Sequence, residues 1–438
     1  MDVNLKNQSV NFLKNGIKEK NQKMLGIEMD VNLKNQIVNF LKNGIKGKKQ
    51  KMLGIEVEHF IVDKNTEESV SYYGNNGIKT VLENLMKIYP NSKPIFGEDI
   101  IGFFSRDFNI TLEPAAQIEI SINPYKEIET IEKIYKEFFN NLNSIINKFG
   151  YKILTVSCQP KSNIDKIKMV PKRRFRILEK YYEKIGTRGI DMMKGTCSVQ
   201  VSIDYFSEDD FRKKLQVAYF LTPFFKLLTN NSNCYQGKFF NTFLKRTEIY
   251  NNTDPKRCGI PENVFAESYG FENYAEYLYD RPLIYYKKNN EFYETDKTFG
   301  EAFKNQKVTD DEIWHIASIV FPDIRAKNYL EIRGADLMPF EYILGYCALI
   351  KGVFYYEDNL NTLSNMVKEH KMNNKKVNDV QNDIIKSGWN AKIYDTPAKI
   401  FAKNIMELIK KSMTNRDIEY LSPMFTIIEN EGLLNVKK

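Results

Sequence analysis

Four short stretches of this chain alternate acidic or amide side chains with aliphatic ones. In "GIEVEHF", Glu56 and Glu58 alternate with Ile55 and Val57. In "TLEPAAQIEISINP", Gln117, Glu119 and Ser121 alternate with Ile118, Ile120 and Ile122, and Glu113 lies just upstream. "GTCSVQVSIDY" sets Gln200 and Ser202 against Val199, Val201 and Ile203, and "YLEIRGAD" sets Glu331 and Arg333 against Leu330 and Ile332. Successive strand residues point to opposite faces, so each stretch reads as a strand with one oily and one polar face. One such strand is ordinary. Four are not, because their polar faces carry Glu and Gln where a solvated sheet would mix in Lys and Thr. If the strands adjoin, the carboxylates share one surface at spacings of about 5–7 Å, and their repulsion raises their pKa values. Hard divalent cations relieve that conflict, and an all-oxygen donor set without a His or Cys cluster suits Mg2+ or Mn2+ better than zinc. Changing Glu56, Glu119 or Glu331 to Gln should then leave the cation-free fold intact or slightly more stable.

The elements that must position these strands mix helix and strand without a regular βαβ alternation, which gives an α+β fold. "NPYKEIETIEKIYKEFFNNLNSIINKFG" carries apolar residues at helical spacing between Pro124 and Gly150, and strand-like "YKILTVSC" follows. "DDFRKKLQVAYFLTPFFKLLTN" reads as a helix kinked at Pro223, and residues 360–438 read as mostly helical. No Gly/Ser- or Pro-rich linker interrupts residues 29–438, which are expected to form a single catalytic domain.

The chain opens on a tandem copy. Residues 1–28 and 29–56 differ only at Ser9/Ile37, Glu19/Gly47 and Asn21/Lys49. Each copy encodes a helix, a Lys-rich turn and the start of a strand. In the second copy Leu33, Ile37, Val38, Phe40 and Leu41 form the apolar stripe, and Gly44 is placed to close the helix in a left-handed cap. Only the second copy runs on into "VEHFIVD", so it takes the one sheet position and residues 1–28 are expected to be a spare segment.

Composition excludes some classes. The chain has 438 residues, 42% of them apolar, enough for a large core. Its formal charge of +8 comes from Lys spread along the sequence rather than gathered in a block. That pattern speaks against a nucleic-acid partner and suits mild attraction of small anions. No apolar run approaches the roughly 18 residues of a membrane span, and no secretion signal opens the chain, so a cytoplasmic protein is expected. The oligomeric state is left open between monomer and weak dimer. Five widely spaced cysteines without a CxxC are expected to be reduced thiols. Cys197 falls on the oily side of its strand and His59 reads as structural. "GTRG" at 186–189 lacks the GK[ST] of a phosphate loop.

The segments "GIEVEHF", "LEPAAQIEIS", "MVPKRRFRILEKYYEKIGTRGIDMMKGTCSVQVSIDY", "ESYGFENYAEYLYDRP" and "EIRGAD" together resemble the plant-type glutamate-cysteine ligase family, which has many bacterial members. The resemblance covers about residues 30–340 well and the helical tail only weakly. It implies a glutamine-synthetase-like fold, a curved and mainly antiparallel sheet whose concave polar face holds Mg2+, ATP and glutamate. The implied reaction converts the glutamate γ-carboxylate to a γ-glutamyl phosphate, which the amine of cysteine then attacks. Residue by residue, it implies metal ligation by Glu56, Glu58, Glu113, Glu119, Gln200 and Glu331, with Arg333 beside the phosphates. Arg246 in "FLKRTEIY" is implied to grip a glutamate carboxylate. Lys172 and Arg174 are implied to lie near nucleotide or substrate, and Tyr285 is a weaker candidate for the acceptor pocket, with core packing as its alternative. A ligase of the same fold using another amine stays open, as does a binding protein that has kept only the fold. The disulfide control of plant members is not carried over to these cysteines. Deleting residues 1–28 should leave activity within about twofold and melting little changed, because a duplicated helix with no second groove buries little. Loss of activity or precipitation of the truncated protein, read by assay and thermal melt, would show that this segment packs on the domain or a second subunit.

Overall fold

The four alternating segments pair side by side in the computed structural model, which describes residues 32–47, 50–288 and 291–433. The expectation for residues 1–28 lies outside the described residues. Nine strands form the principal sheet: β1 (Leu53–Asp63), β2 (Lys93–Phe96), β3 (Ile100–Phe104), β4 (Phe108–Leu112), β5 (Ile118–Tyr125), β6 (Tyr151–Leu154), β7 (Ser198–Ile203), β8 (Ile324–Ala326) and β9 (Leu330–Asp336). Their order is β8-β9-β7-β1-β5-β4-β3-β2, and β6 pairs separately with β1. Every pairing in this sheet is antiparallel. The four chemistry-bearing strands β9, β7, β1 and β5 are therefore contiguous.

Their oily face is the core. Ile55, Val57, Ile118, Ile120, Val199, Val201, Ile203 and Ile332 are all essentially inaccessible to water. The long helix Ile128–Asn147 packs against β5 and β6 through Ile128, Ile131, Tyr135, Phe138 and Leu142. Burial of such side chains contributes about 1.5–3 kcal/mol each, which fixes the register of the sheet beneath. As the sequence suggests, Gly150 follows this helix in a left-handed conformation, with φ of +77°. Helix Glu208–Thr229 contains Pro223, which leaves the Tyr219 carbonyl without its usual helical donor. The tail is helical over Glu357–Glu369, Asn374–Ser387, Ala398–Lys410 and Asn415–Asn430. Among the described residues no helix is long and apolar enough to cross a membrane, and the five cysteines form no disulfide.

The second copy of the opening repeat is built into this framework. Its helix, 32–42, buries Leu33, Ile37 and Leu41. One expectation fails there. Gly44 has no left-handed φ; a Cβ at this position would lie 2.1 Å from the Tyr205 hydroxyl and 2.6 Å from the Asn328 backbone. Close approach, not turn conformation, requires the glycine. The Tyr205 hydroxyl bridges the two segments by sharing its one hydrogen between the carbonyls of Leu41 and Lys327. Helix 32–42 is thereby tied to the loop that enters β9.

Candidate active site

Register alone places the polar residues opposite one another. Glu56 faces Gln200 on β7 and Ser121 on β5, Glu58 faces Glu119, Thr111 of β4 faces Glu119 on its other side, and Glu331 faces Ser202. A register shift between Ile332 and Ala335 inserts an extra residue around Arg333 and Gly334. Such a bulge twists the strand locally and re-aims its side chains.

Two cavities open on this face and meet at Glu56. One, of about 250 Å3, is lined by Glu56, Glu58, Glu113, Glu119, Gln200 and Arg333, with Arg174, Tyr250, Tyr285 and His315 on its far side. The other, of about 340 Å3, is lined by Lys46, Glu56, Asn109, Ser121, Ser202, Asp204, Trp314 and Tyr329 among others. The first is polar at its floor; the second sets the rings of Trp314 and Tyr329 beside polar groups of the sheet.

The carboxylates divide into two kinds. Burial, then the negative charge of Glu331, raises the Glu56 pKa. Burial and Glu113 push Glu58 up to about 7. Burial with Glu56, Glu113 and Glu58 raises Glu119 well above the usual carboxylate range. Glu58 accepts from the Ser198 amide (2.8 Å), the Ser198 hydroxyl (3.1 Å) and Gln200 Nε2 (3.0 Å). Glu119 accepts from the hydroxyls of Thr111 (2.7 Å) and Ser121 (3.5 Å). Among the described residues none donates a hydrogen bond to the Glu56 or Glu113 carboxylate. Glu331 is the opposite case. Burial alone would raise it, but Arg325, Lys327 and Arg333 hold it well below the usual range. Arg325 donates Nε to Oε2 (2.9 Å) and Nη2 to Oε1 (2.8 Å), Arg333 donates to Oε1 (2.6 Å), and Lys327 Nζ stands 3.4 Å from Oε2.

The remaining candidates are distributed around this centre. Arg333 also donates to Gln200 Oε1, so Gln200 links the arginine to Glu58. Arg246 is buried beside the cavity; its guanidinium lies 4.7 Å from the ring of Tyr250, which lines the cavity, and Nη2 donates to the Arg333 carbonyl (3.2 Å). Nε of Arg174, Arg246 and Arg333 is buried without a partner. Arg174 lies with the polar cavity rather than the aromatic one. Burial and then Arg174 bring Lys172 down to about 7, against the opposing pull of Glu113 and Glu119. Tyr285 is buried, packing on Phe292 and His315, and it lines the cavity. His59 is structural, its ring nitrogens engaged by the Ile118 carbonyl (3.0 Å) and the Tyr135 hydroxyl (2.8 Å), and burial pushes it down to about 4. Cys197 is a buried thiol raised by that burial.

The candidate metal ligands share a face without converging: among the described residues no three His, Cys, Asp or Glu side chains meet as a preassembled metal centre. Their chemistry nevertheless fits a hard cation, since Glu56, Glu58 and Glu119 are crowded carboxylates with raised pKa values and only neutral hydrogen-bond donors. Glu331 fits less well. Three of its roughly four acceptor positions are taken by the two guanidinium groups, leaving one on Oε2.

Sequence reasoning missed Arg325, Lys327, Tyr250, Trp314 and His315. The first two had a legible signal: Arg325 and Lys327 alternate toward Glu331 across a tight β8–β9 turn. A strand of three residues is too short to show its period. The other three carry only helical spacing, which does not reveal which cavity a helix faces.

The architecture is glutamine-synthetase-like. The glutamate-cysteine ligase of Francisella tularensis, solved in complex with AMP, matches 88% of this chain and 83% of its own with a TM-score of 0.55 at 14% identity. The chain belongs to glutamate-cysteine ligase family 2, whose model matches residues 52–420. The chloroplastic glutamate-cysteine ligase of Nicotiana tabacum is 29% identical over 351 residues, 77% of this chain and 66% of that protein. That of Medicago truncatula is 30% identical over 351 residues, covering 77% and 68%. Glutamate-cysteine ligase B of Oryza sativa subsp. japonica is 28% identical over 402 residues, covering 86% and 79%. The chain thus spans about two thirds of the tobacco and Medicago proteins.

Proposed function

We propose that this chain joins the γ-carboxylate of glutamate to the amine of cysteine at the expense of ATP, giving γ-glutamylcysteine, ADP and phosphate. The single observation that carries this reading is the meeting of two unlike cavities at Glu56, on a face where crowded carboxylates adjoin unpartnered guanidinium donors. A purine fits the second cavity, against Trp314 and Tyr329. The triphosphate then runs toward Arg325, Lys327 and Arg333, whose positive charge offsets its own. Glutamate and the acceptor occupy the polar cavity, with the acceptor side chain toward the apolar wall of Leu178, Met193 and Ile319.

Glu56, Glu58, Glu113 and Glu119 would hold Mg2+, Glu58 and Glu119 exchanging their neutral donors for the cation. Gln200 is a neutral oxygen ligand at the edge of this set, and Glu331 would reach it only through Oε2. Bound there, the cation supplies charge neutralisation between the γ-carboxylate and the triphosphate. Arg333, held by Glu331 and Gln200, is oriented before substrate arrives, so it stabilises charge on the transferring phosphoryl group without reorganising. Arg246 and Tyr250 form the wall that meets the glutamate α-carboxylate. Arg174 adds positive charge to the same cavity, with Lys172 close by it. Residues 29–438 would act as the catalytic unit.

Mass spectrometry of products from ATP, Mg2+, glutamate and a panel of amines tests the reading. A γ-glutamyl product with cysteine supports it, a product only with another amine moves the chain to a sister ligase, and no product with any amine rejects it. Arg246 gives a finer check. Arg246→Lys keeps the charge but loses the planar fork, so KM for glutamate should rise about tenfold or more while KM for ATP changes little. An unchanged glutamate dependence would remove Arg246 from the site.

A further inference from the structure

The reading above leaves one chemical requirement without a group to meet it. An α-amino group is mostly protonated at neutral pH, and an ammonium has no lone pair with which to attack an acyl phosphate. A base must take that proton inside the cavity. The carboxylates of its floor are assigned to the cation, Lys172 is not among the described residues that line the cavity, Tyr250 lies against the Arg246 guanidinium, and burial keeps the Tyr285 phenol protonated.

His315 remains. It lies on the helix Asp310–Ser318, half-buried, and lines the polar cavity. Its Nε2 is 3.2 Å from the Tyr285 carbonyl oxygen. A carbonyl can only accept, so Nε2 carries the hydrogen and Nδ1 keeps its lone pair. Among the described residues Nδ1 has no hydrogen-bond partner. The ring packs on Tyr285 with centroids 4.9 Å apart, which fixes its plane. The charges around it are Arg174 from the helix Arg173–Ile185, Lys287 from the strand Tyr285–Lys288, and Glu56, Glu58, Glu113, Glu119, Arg325 and Arg333 across the cavity. Burial lowers its pKa, and Arg174 and Lys287 lower it further, outweighing the Tyr285 carbonyl. The imidazole is accordingly neutral at physiological pH.

Building on the ligase reading, we infer that His315 is the general base of the second half-reaction, accepting through Nδ1 a proton from the ammonium of the incoming amine. One N–H bond of the ammonium breaks and an Nδ1–H bond forms. The freed lone pair attacks the γ-carbonyl carbon, and the carbon to phosphate-oxygen bond breaks with its electron pair leaving on phosphate. The amine's second proton departs with that phosphate as hydrogen phosphate, and the imidazolium returns its proton to water when product leaves. Protonation states and atoms balance without a further reactant.

The test compares two acceptors in His315→Gln, which retains an amide donor for the Tyr285 carbonyl and lacks the basic nitrogen. Hydroxylamine is unprotonated at neutral pH and needs no base to attack; cysteine does. With ATP, Mg2+ and glutamate, His315→Gln should lose about a hundredfold in kcat with cysteine at pH 7, with the gap closing as pH rises and the amine deprotonates by itself. Hydroxamate formation should stay within about twofold of wild type. Free imidazole should restore cysteine turnover to His315→Ala. Equal losses with both acceptors, no loss with cysteine, or a gap independent of pH would overturn the inference. Should both variants misfold, the wild type decides: an acid limb in kcat with cysteine that lies below the ordinary imidazole value supports His315, and a limb at the ammonium's own value, or profiles identical to those with hydroxylamine, reject it. A wild type that makes neither dipeptide nor hydroxamate overturns the ligase reading itself, whereas hydroxamate with an unaffected variant overturns only the base.

Discussion

Glu119→Gln should cut turnover by at least about a hundredfold and, in cation-free buffer, raise the melting temperature above wild type. Both effects come from one arrangement. Glu119 stands opposite Glu58 in the β1–β5 ladder, near Glu56 and Glu113, with only Thr111 and Ser121 to bond it. Burial and those neighbouring charges raise its folded pKa above the ordinary 4.5. Between the ordinary and the raised value the folded state binds more protons than the unfolded one, so stability falls as pH climbs through that window. Glu58, raised from 4.5 to about 7, adds a fall between those two values. The cation-free protein should therefore melt higher near pH 5 than near pH 8, and Mg2+ should flatten the difference by supplying the missing counter-charge. The glutamine carries no charge to repel, so its gain of about 2 °C or more appears at the alkaline end and vanishes at the acid end. Turnover is lost because an amide is a poor substitute for a charged ligand. Calorimetry across pH with and without Mg2+, beside a product assay, reads both. Near-wild-type turnover would take Glu119 out of the site. Glu28→Gln, in the other copy of the repeat, should be silent.

How much of this was readable follows from the length of each period. β1, β5, β7 and β9 each run long enough to show alternation at two, so Glu56, Glu58, Glu119, Gln200 and Glu331 could be assigned to one kind of face before any pairing was known. Their adjacency could not be read, since it depends on which antiparallel partners β1 takes on its two edges. Gly44 shows the limit of local rules: a glycine after a helix suggests a left-handed cap, yet the reason for it is Tyr205, far along the chain. The cation cluster was hidden for a related cause. Glu331 and Arg333 look like members of the acidic face, and only the short β8 strand brings Arg325 and Lys327 against them. Charge pairing across a sheet is a property of the ladder and not of either strand. His315 and Tyr250 are harder still, because a helical residue facing a cavity has the same spacing as one facing the core.

Glu331→Gln should act on stability in the opposite direction from Glu119→Gln, although both remove one carboxylate from one sheet face. Glu331 is fully buried and bound by Arg325 and Arg333, with Lys327 close by. Those cations overcome the burial penalty and hold it well below the ordinary 4.5. Its contribution to stability is therefore present above the unfolded pKa and is lost as pH falls through the folded one. Substituting glutamine leaves two guanidinium groups and an ammonium buried together without their counter-charge, which costs about 3–5 kcal/mol when one member of a buried pair is deleted. The expectation from sequence that Glu331→Gln leaves the cation-free fold intact or slightly more stable therefore fails. Turnover should collapse as well, because Arg333 loses the oxygen that orients it. Adding Arg325→Gln should recover part of the stability, since the double variant buries one cation fewer, and a double-mutant cycle measures that coupling. Recovery of stability without recovery of turnover would separate anchoring of the fold from orientation of Arg333. If Glu331→Gln instead melts higher than wild type in cation-free buffer, Glu331 belongs with the crowded carboxylates and the arginines are held by something else.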